Sequence, residues 1–271
     1  MSDYVTMIVD GDQTFFHKSL FARVPPGMEV RLSYEMKPWA DPLMVPEAVR
    51  LKYAGNLDEC GRPVAPPGAV SDQMRFPGRK LGKWGANLAA DPIVLIRKND
   101  RSVHLLAIER GDTPGVLAFP GGMIDPTDRD AKSAAMRELC EEALPGKGLD
   151  ILLPHVVQGL DGVEVYRGPN FSDPRNTTNA WMETSAYVWL FQGDEAYDIV
   201  SQNMQARDDA KTVRLVPVAS ADGTWRRTAY KMYSDHAKYL DAALDKVEIA
   251  YRGPIPVVMR KVCLYLKKYA I

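Results

Sequence analysis

The sequence of 271 residues predicts an α/β fold with a smaller, loop-rich N-terminal part. Residues 25 to 89 are rich in Pro and Gly and contain only short apolar alternations, which indicates short strands and ordered loops. From Ile93 onward, strand-like segments alternate with helical windows. With 46% hydrophobic and 25% charged residues, the chain can bury a core in each part. We therefore predict an N-terminal domain over residues 1–90 and a second domain over residues 91–271.

Each element is predicted from its local pattern, in chain order. An alternation over residues 28–34 predicts a short strand in the N-terminal part. Strands are predicted at 93–97, 103–108, 116–119, 150–158, 163–166, 184–191 and 213–218, and helices at 129–144 and 224–250. The last segment, residues 254–271, has the spacing of a basic amphipathic helix. A closing helix packed on the domain is favoured there over contact with a partner or an anionic surface.

Charge and composition exclude several classes of partner. The net charge is −1 and the isoelectric point about 6.4, so the chain has no global basic field to hold nucleic acid. No apolar run approaches the ~20 residues that span a bilayer, so direct membrane insertion is not expected. The first twenty residues carry three Asp and do not resemble a leader. We expect a cytoplasmic location, with the cytosolic face of a membrane channel as the alternative, rather than a mitochondrial one.

The predicted helix at 129–144 carries an unusual cluster of acids. At 100° per residue, Arg137, Glu138, Glu141 and Glu142 fall within about 140° of one another and share one face. Like charges at these spacings repel. A solvated acidic face is one interpretation. The other is a carboxylate cradle for Mg²⁺, which takes oxygen ligands and bridges to substrate phosphates.

This cluster resembles the box of the Nudix hydrolases, in which Gly and, further on, Arg-Glu-x-x-Glu-Glu recur at fixed spacing. Gly122 and residues 137–142 match that box. The chain departs from it at Asp128, which stands where the family has Glu, and one extra residue separates it from Arg137. Asp128 with a one-residue bulge, or else Asp130, is then expected to help orient Arg137; the alternative is that the support of Arg137 is weakened.

Four further segments resemble one branch of that family. FSDPRNTTNAWMET, GKWGANLAADP, PGGMIDP and DDAKTVR are similar to segments of ADP-ribose pyrophosphatases of the mitochondrial vertebrate type. They are equally similar to the Nudix-homology domain of ADP-ribose-gated melastatin-type TRP channels. Together the matching segments extend over about two thirds of the chain.

The resemblance implies a Nudix αβα sandwich with a mixed sheet, preceded by a cap domain. It implies hydrolysis of ADP-ribose at its pyrophosphate to AMP and ribose 5-phosphate, with Mg²⁺ as cofactor and Mn²⁺ as a substitute. The implied metal ligands are Glu138, Glu141, Glu142 and Gly122. Arg137 would lock the box, and the general base would be Glu138 or a loop acid, Asp208 or Asp209.

The resemblance also implies a set of substrate-binding residues. They are Trp84, Asn87, Gly121, Gly122, Asp173, Arg175, Asn176, Asn179, Trp181 and Glu183. Read without the family, residues 173–176 could equally form a turn, and Trp181 could equally be a core aromatic. A second functional class also remains open, an ADP-ribose-sensing domain of a tetrameric cation channel with little or no turnover.

Overall fold

The computed structural model describes residues 4–9, 12–17, 45–59, 61–69, 81–111, 113–207, 210–222, 224–225 and 230–252. The strands are β1 (Tyr4–Val9), β2 (Asp12–His17), β3 (Gly85–Arg97), β4 (Val103–Arg110), β5 (Leu117–Ala118), β6 (Gly122–Met123), β7 (Val156–Pro169), β8 (Ala180–Gln192) and β9 (Ala210–Ala219). The helices are α1 (Glu47–Lys52), α2 (Ala131–Glu142), α3 (Gly148–Leu152), α4 (Asp194–Asn203) and α5 (His236–Arg252), with a 3₁₀ turn at Leu153–His155.

Two sheets form within the described part of the chain. β1 and β2 make an antiparallel pair. The other sheet has seven strands among the described residues, in the order β5-β4-β3-β8-β7, with β6 on β3 and β9 on β4. Strands β4 and β9 pair along their whole length, from Val103 opposite Ala219 to Arg110 opposite Ala210. This sheet with its flanking helices confirms the predicted α/β class.

The chain divides into two compact units that are not contiguous in sequence. The first comprises Met1–Ala90, Gly122–Ala134 and Arg167–Ser185, and the second comprises Asp91–Gly121, Ala135–Tyr166 and Ala186–Ile271. The division into an N-terminal cap over residues 1–90 and a second domain over 91–271 stays a prediction.

The second unit is built around one large apolar cluster. Its sheet side comes from buried positions such as Ile93 and Leu95 of β3 and Leu105 of β4. Its helix side comes from α5, which buries Leu240, Ala243, Leu244 and Val247. These four positions follow the spacing i, i+3, i+4 and i+7, so one apolar stripe faces the cluster and the rest of the helix is free to be polar.

Most predicted elements are confirmed, and two are wrong in part. Residues 150–158 were expected to form a strand, but 148–152 are helical, 153–155 form a 3₁₀ turn, and only 156–158 belong to β7. The helix expected over 224–250 begins at His236, since Trp225 and Met232 instead make isolated bridges. Helices α1 and α4 were not predicted. The predicted strand at 28–34 and helix at 254–271 lie outside the described residues.

Candidate active site

The acidic helix α2 begins at a local cap. The Asp130 carboxylate accepts a hydrogen bond from the Ser133 backbone N–H at 2.7 Å, and the Asp130 N–H donates to the Ser133 hydroxyl at 2.9 Å. Such reciprocal bonds satisfy donors that a helix leaves unpaired in its first turn. The hydrogen bond from the Ser133 backbone holds the pKa of Asp130 below its ordinary value. Asp130 is therefore the N-cap of the helix that carries the acids.

The acidic face, which we define as Arg137, Glu138, Glu141 and Glu142, is tied together by its own arginine. The Arg137 Nη1 atom donates to Glu138 Oε1 and to Glu141 Oε2, both at 2.8 Å. Glu138 is buried, whereas the Glu141 side chain is 46% exposed. One guanidinium thus offsets the repulsion between two of the three glutamates.

Glu142 is held by the backbone. Its Oε2 atom accepts a hydrogen bond from the Gly121 N–H at 2.9 Å, and the residue is 5% exposed. A buried carboxylate is stable only with such partners. The Gly-Gly turn therefore has a specific role at Gly121, which is to present a backbone donor to the last acid of α2.

The donor chemistry of the acidic face suits a hard divalent cation, because all three glutamates offer carboxylate oxygens. In this conformation, however, no three His, Cys, Asp or Glu side chains of the described residues converge as a metal site. Arg137 occupies oxygens of Glu138 and Glu141. Glu138, Glu141 and Glu142 fit a metal by their chemistry, and they would hold it once the Arg137 contacts have rearranged. Metal binding by Gly122 remains a prediction.

Cys140 lies within the same turn of helix and is a free thiol. Burial raises its pKa, and the nearby Asp150 and Glu141 carboxylates raise it further. The raised pKa favours the protonated thiol over the thiolate that metal binding and nucleophilic attack require. The two predicted loop acids, Asp208 and Asp209, lie outside the described residues.

In the first unit, Asn87 organises the turn that leads into β3. Its Oδ1 accepts hydrogen bonds from the N–H groups of Gly82 and Lys83, at 3.1 and 3.2 Å. Its Nδ2 donates to the carbonyls of Lys83 and Gly85, at 2.9 and 3.1 Å. The amide thus has four backbone partners at 1% exposure. Trp84, in the same turn, is buried beside Val45.

The segment 170–179, which we call the amide loop, is held in the same way. The Asn176 Nδ2 atom donates to Ala69 and Asn170 carbonyls at 2.8 Å, and its Oδ1 accepts from the Met182 N–H. The Asn179 Nδ2 atom donates to the Pro63 carbonyl at 2.9 Å and to Asp58 at 3.2 Å. Both asparagines are at most 2% exposed. Their amides therefore fix the loop, and ligand contact through them stays a prediction.

Arg175 is oriented by the acid two residues before it. Its Nε and Nη2 atoms donate to the two oxygens of Asp173 at 2.9 and 2.8 Å, and the Asp173 side chain is fully buried. This two-point pairing aligns the guanidinium plane. Arg175 keeps 31% of its side chain exposed, and phosphate binding by it stays a prediction.

Trp181 is a buried residue of the first unit. It is 3% exposed, and its ring meets that of Tyr53 edge to face at 5.6 Å between centroids. Its indole N–H donates to Glu183 Oε1 at 2.8 Å. In this structure Trp181 offers no open ring face, and base stacking by it stays a prediction.

Glu183 borders a cavity of about 270 Å³ whose nine lining residues all belong to the first unit. Of the predicted substrate residues, Glu183 alone lines it. Arg167 and Leu88 also line it and were not predicted. Its position could have indicated Arg167, because this basic residue lies three positions before the amide loop, near the end of β7.

The sheet with flanking helices and the acidic face of α2 are together those of a Nudix-type α/β protein. The sequence profile of the NUDIX domain matches residues 87–241, more than half of the chain. The chain therefore belongs to the Nudix family. Within the described residues, no helix is both long and apolar enough to cross a membrane.

Similarity to individual proteins extends beyond that profile. The chain is 32% identical over 210 residues to the mitochondrial ADP-ribose pyrophosphatase of Rattus norvegicus, covering 69% of this chain and 55% of that protein. It is 29% identical over 221 residues to the transient receptor potential cation channel subfamily M member-like 2 of Nematostella vectensis, covering 74% of this chain and 13% of the channel. It thus spans about half of the first relative and a small part of the second. A NUDIX domain of Shewanella oneidensis NrtR, solved with ADP ribose, is 19% identical with a TM-score of 0.42 and covers 73% of this chain and 97% of its own.

Proposed function

We propose that this chain hydrolyses ADP-ribose at its pyrophosphate, giving AMP and ribose 5-phosphate. The observation that carries the proposal is the complete acidic face on α2, with Glu138 and Glu142 buried and oriented by Arg137 and the Gly121 N–H. The similarity to an ADP-ribose pyrophosphatase over 210 residues supports the choice of substrate.

The reaction adds one water across the diphosphate. The water oxygen bonds to one phosphorus, the bond from that phosphorus to the bridging oxygen breaks, and the bridging oxygen leaves on the other phosphate. A divalent ion, Mg²⁺ or Mn²⁺ held by Glu138, Glu141 and Glu142, would neutralise charge on the phosphate oxygens and make water a better nucleophile.

The chain's own residues have distinct roles in this proposal. Arg137 pairs with the carboxylates of Glu138 and Glu141, and it would release their oxygens to the cation when the metal binds. The Gly121 N–H fixes the third. A carboxylate must accept the proton of the attacking water, and Glu138, Asp208 and Asp209 are the candidates.

One assay tests this function. The purified chain is incubated with ADP-ribose, its 2′-phosphate and a panel of other nucleoside diphosphate compounds, with and without Mg²⁺, and AMP release is measured. We expect turnover of ADP-ribose that requires the metal. Absence of AMP at every metal concentration would refute the proposal.

A second function is favoured by the similarity to a channel subunit. In that case the chain binds ADP-ribose as a sensor, is part of a tetrameric cation channel at the cytosolic face of a membrane, and turns the ligand over slowly or not at all. A domain that only binds does not need a full set of catalytic acids, so we place hydrolysis first. We propose a cytoplasmic location for the chain in either case. Binding of ADP-ribose without AMP release would identify the sensor.

A further inference from the structure

The segment Phe119-Pro120-Gly121 has only two backbone N–H groups, because proline has none. Both groups donate to side chains. The Gly121 N–H donates to Glu142 of the acidic face at 2.9 Å, and the Phe119 N–H donates to the Nδ1 atom of His236 at 3.0 Å. The segment is therefore held at one end by an acid of α2 and at the other by an imidazole at the start of α5.

His236 also holds Phe119 by its side chain. The imidazole stacks on the Phe119 ring, with 4.7 Å between the centroids and 5° between the planes. Tyr233 packs edge to face against the imidazole at 5.8 Å. His236 and Phe119 are both buried. Because Phe119 is fixed at its backbone N–H and at its ring, the position of His236 determines that of residue 119.

The hydrogen bond from Phe119 also sets the tautomer of the imidazole. A backbone N–H can only donate, so Nδ1 must accept, and in a neutral imidazole the proton is then on Nε2. The Nε2 atom lies 3.9 Å from Oδ1 of Asp91, a buried residue of β3. A carboxylate on that side favours a proton on Nε2. Asp91 therefore supports the tautomer that accepts the Phe119 N–H.

The chain just before α5 holds the approach to this segment as well. The Leu117 N–H donates to the Lys231 carbonyl at 2.9 Å, and the Leu117 carbonyl accepts from the Tyr233 N–H at 2.7 Å. Residues 117 and 119 are thus both anchored to residues 231–236. Only Pro120, whose φ is fixed by its ring, separates Phe119 from Gly121. A shift of residue 119 is therefore passed on to the Gly121 N–H.

We propose that His236 is a positioning residue for the acidic face. By holding Phe119 it sets the place of the Gly121 N–H and, through that donor, the orientation of the Glu142 carboxylate. The inference rests on the proposed function only in treating Glu142 as a ligand of a divalent cation. It goes further in giving a role to a histidine of α5. Residues that orient metal ligands in this way typically contribute 10–100-fold to metal affinity or activity.

Two substitutions separate the acceptor from the ring. His236→Phe keeps an aromatic ring for stacking but has no acceptor for the Phe119 N–H. His236→Asn loses the ring but keeps an acceptor, its amide oxygen, close to the place of Nδ1. A positioning role predicts that metal binding follows the acceptor. A purely structural role predicts that metal binding follows the free energy of unfolding, which urea denaturation measures for both variants.

The first readout needs neither metal nor substrate. In metal-free buffer at pH 8, NMR of the full chain labelled with ¹⁵N-glycine reports the Gly121 amide proton, and loss of its hydrogen-bonded shift in Glu142→Gln assigns the signal. We expect this proton to move upfield in His236→Phe, because its bond to the carboxylate weakens, and to keep its wild-type shift in His236→Asn. An unmoved signal in His236→Phe would overturn the proposal.

The second readout is the affinity for Mn²⁺ alone, measured by calorimetry. We expect His236→Phe to bind Mn²⁺ about tenfold more weakly than the wild type, the lower end of the range for residues that orient metal ligands. His236→Asn should retain the wild-type dissociation constant. The proposal fails if His236→Phe binds Mn²⁺ as tightly as the wild type, or if the two variants lose affinity in proportion to their loss of stability.

A measurement on the wild type covers the case in which the variants do not fold. The ¹⁵N shifts of the imidazole distinguish a protonated from an unprotonated ring nitrogen. We expect His236 at pH 8 to have an unprotonated Nδ1 and a protonated Nε2. A proton on Nδ1 would mean that the ring cannot accept the Phe119 N–H, and it would overturn the assignment.

His104 provides a matched control in the same unit. It is a half-buried histidine of β4 whose ring also meets an aromatic side chain, that of Tyr197, at 5.0 Å. Its Nδ1 atom accepts no hydrogen bond from the described residues. His104→Phe and His104→Asn should leave the Gly121 signal and the Mn²⁺ affinity unchanged at pH 8. Changes as large as those in His236→Phe would show that the effect is not specific to His236.

The outcome is separable from that of the proposed function. If ADP-ribose is not hydrolysed but the Gly121 signal and the Mn²⁺ affinity follow the acceptor at residue 236, the positioning role stands and the enzyme proposal fails. If AMP is released and neither readout responds to His236→Phe, the enzyme proposal stands and the positioning role fails.

Discussion

Gly85 is the first residue of β3. Its backbone conformation and a neighbouring ring both disfavour any larger residue at this position. Its φ is +76°, in the left-handed region that favours glycine. A Cβ atom built there would overlap the Tyr53 ring, whose hydroxyl accepts the Ala86 N–H at 2.9 Å. Tyr53 therefore approaches the strand closely only because residue 85 has no side chain.

Gly85→Ala should destabilise the protein by at least about 2 kcal/mol, since overpacking costs about 1–3 kcal/mol and the left-handed conformation costs about 1 kcal/mol more. Urea unfolding measures the loss. Gly55→Ala is the control, because Gly55 has a φ of +88° with nothing near its Cβ position and belongs to the same unit. An equal loss of unfolding free energy in the two variants would show that the overlap with Tyr53 adds nothing to the destabilisation.

We expect His104 of β4 to make the stability of the fold depend on pH. Burial lowers the pKa of its imidazole, and Lys98 lowers it further against the opposing effect of Asp100. Its Nδ1 atom is buried without a hydrogen-bond partner among the described residues, and its ring meets Tyr197 edge to face at 5.0 Å. Below the ordinary pKa of about 6.5, the unfolded chain therefore binds a proton that the folded chain resists.

We expect the wild type to lose stability relative to His104→Phe as the pH falls from about 6.5 toward the lowered pKa of His104, with a constant difference at higher pH. Urea midpoints for both proteins at pH 8, 7, 6 and 5 test this. Parallel curves over the whole range would show that His104 does not titrate with folding.

Individual side-chain partners were the hardest features to predict from the sequence. Asn87, Asn176 and Asn179 were predicted to bind substrate, and that stays a prediction. An amide bonds backbone and ligand groups with the same atoms, so the sequence did not indicate their backbone partners. Two of these asparagines have backbone partners that are distant in sequence, Ala69 for Asn176 and Pro63 for Asn179. Only the fold brings such partners together.

At the scale of elements, α2 depends on how it begins. The bonds between Asp130 and Ser133 close its first turn. Because the pKa of Asp130 is lowered, its contribution to folding stability is fully present at a pH above the ordinary pKa of a carboxyl group. That contribution is lost as the pH falls through the lowered pKa. Because this cap sets where the helix begins, it also sets the position of the acidic face further along the helix.

Asp130→Ala should lower the melting temperature and the helix content, because Ala cannot accept the Ser133 N–H. Asp130→Asn, which retains an acceptor, should keep both near wild type and should weaken the acid dependence of stability between pH 4 and 3, values near an ordinary Asp pKa of about 3.9. Circular dichroism followed over temperature and pH measures these effects. A melting temperature unchanged by the Ala substitution would exclude the cap.

The elements that were predicted wrongly share a physical cause. The apolar run Ile151, Leu152 and Leu153 fits a short strand and a short helix equally, and only tertiary packing decides between them. Helix α4 buries only Ala196 and Val200, so its apolar stripe is too narrow to stand out. By contrast, β3 was predicted from Ile93 onward because it is buried on both faces and reads as a continuous apolar run.

At the scale of the whole molecule, the chain passes between its two units five times. The acidic face of α2, which begins at Arg137, belongs to the second unit. Arg175, Trp181 and Glu183 belong to the first. In the proposed function, substitutions in the first unit should therefore affect ligand binding, and substitutions in the second unit should affect hydrolysis.

Glu141→Gln combined with Glu142→Gln should abolish AMP release while leaving the affinity for ADP-ribose within about tenfold, or 1.4 kcal/mol. In the proposed function the acids would act on the diphosphate through a cation, whereas recognition would depend on the rest of the ligand. Calorimetry measures binding, and chromatography measures AMP.

The control removes two acids from another helix. Glu195 and Asp198 are exposed on α4, so Glu195→Gln with Asp198→Asn changes the net charge equally. That variant should retain wild-type turnover. Full turnover in the Glu141 and Glu142 double variant would exclude the acidic face from the reaction.

The far end of α2 is completed by a part of the chain that is synthesised much later. The carbonyls of Ala143 and Glu142 accept hydrogen bonds from the N–H groups of Gln205 and Arg207, at 2.9 and 3.3 Å. On the ribosome, those donors emerge more than sixty residues after the helix, roughly several seconds later at ordinary elongation rates. During translation, therefore, we expect the end of the nascent helix that bears Glu141 and Glu142 to lack these two backbone donors until residue 207 has left the exit tunnel.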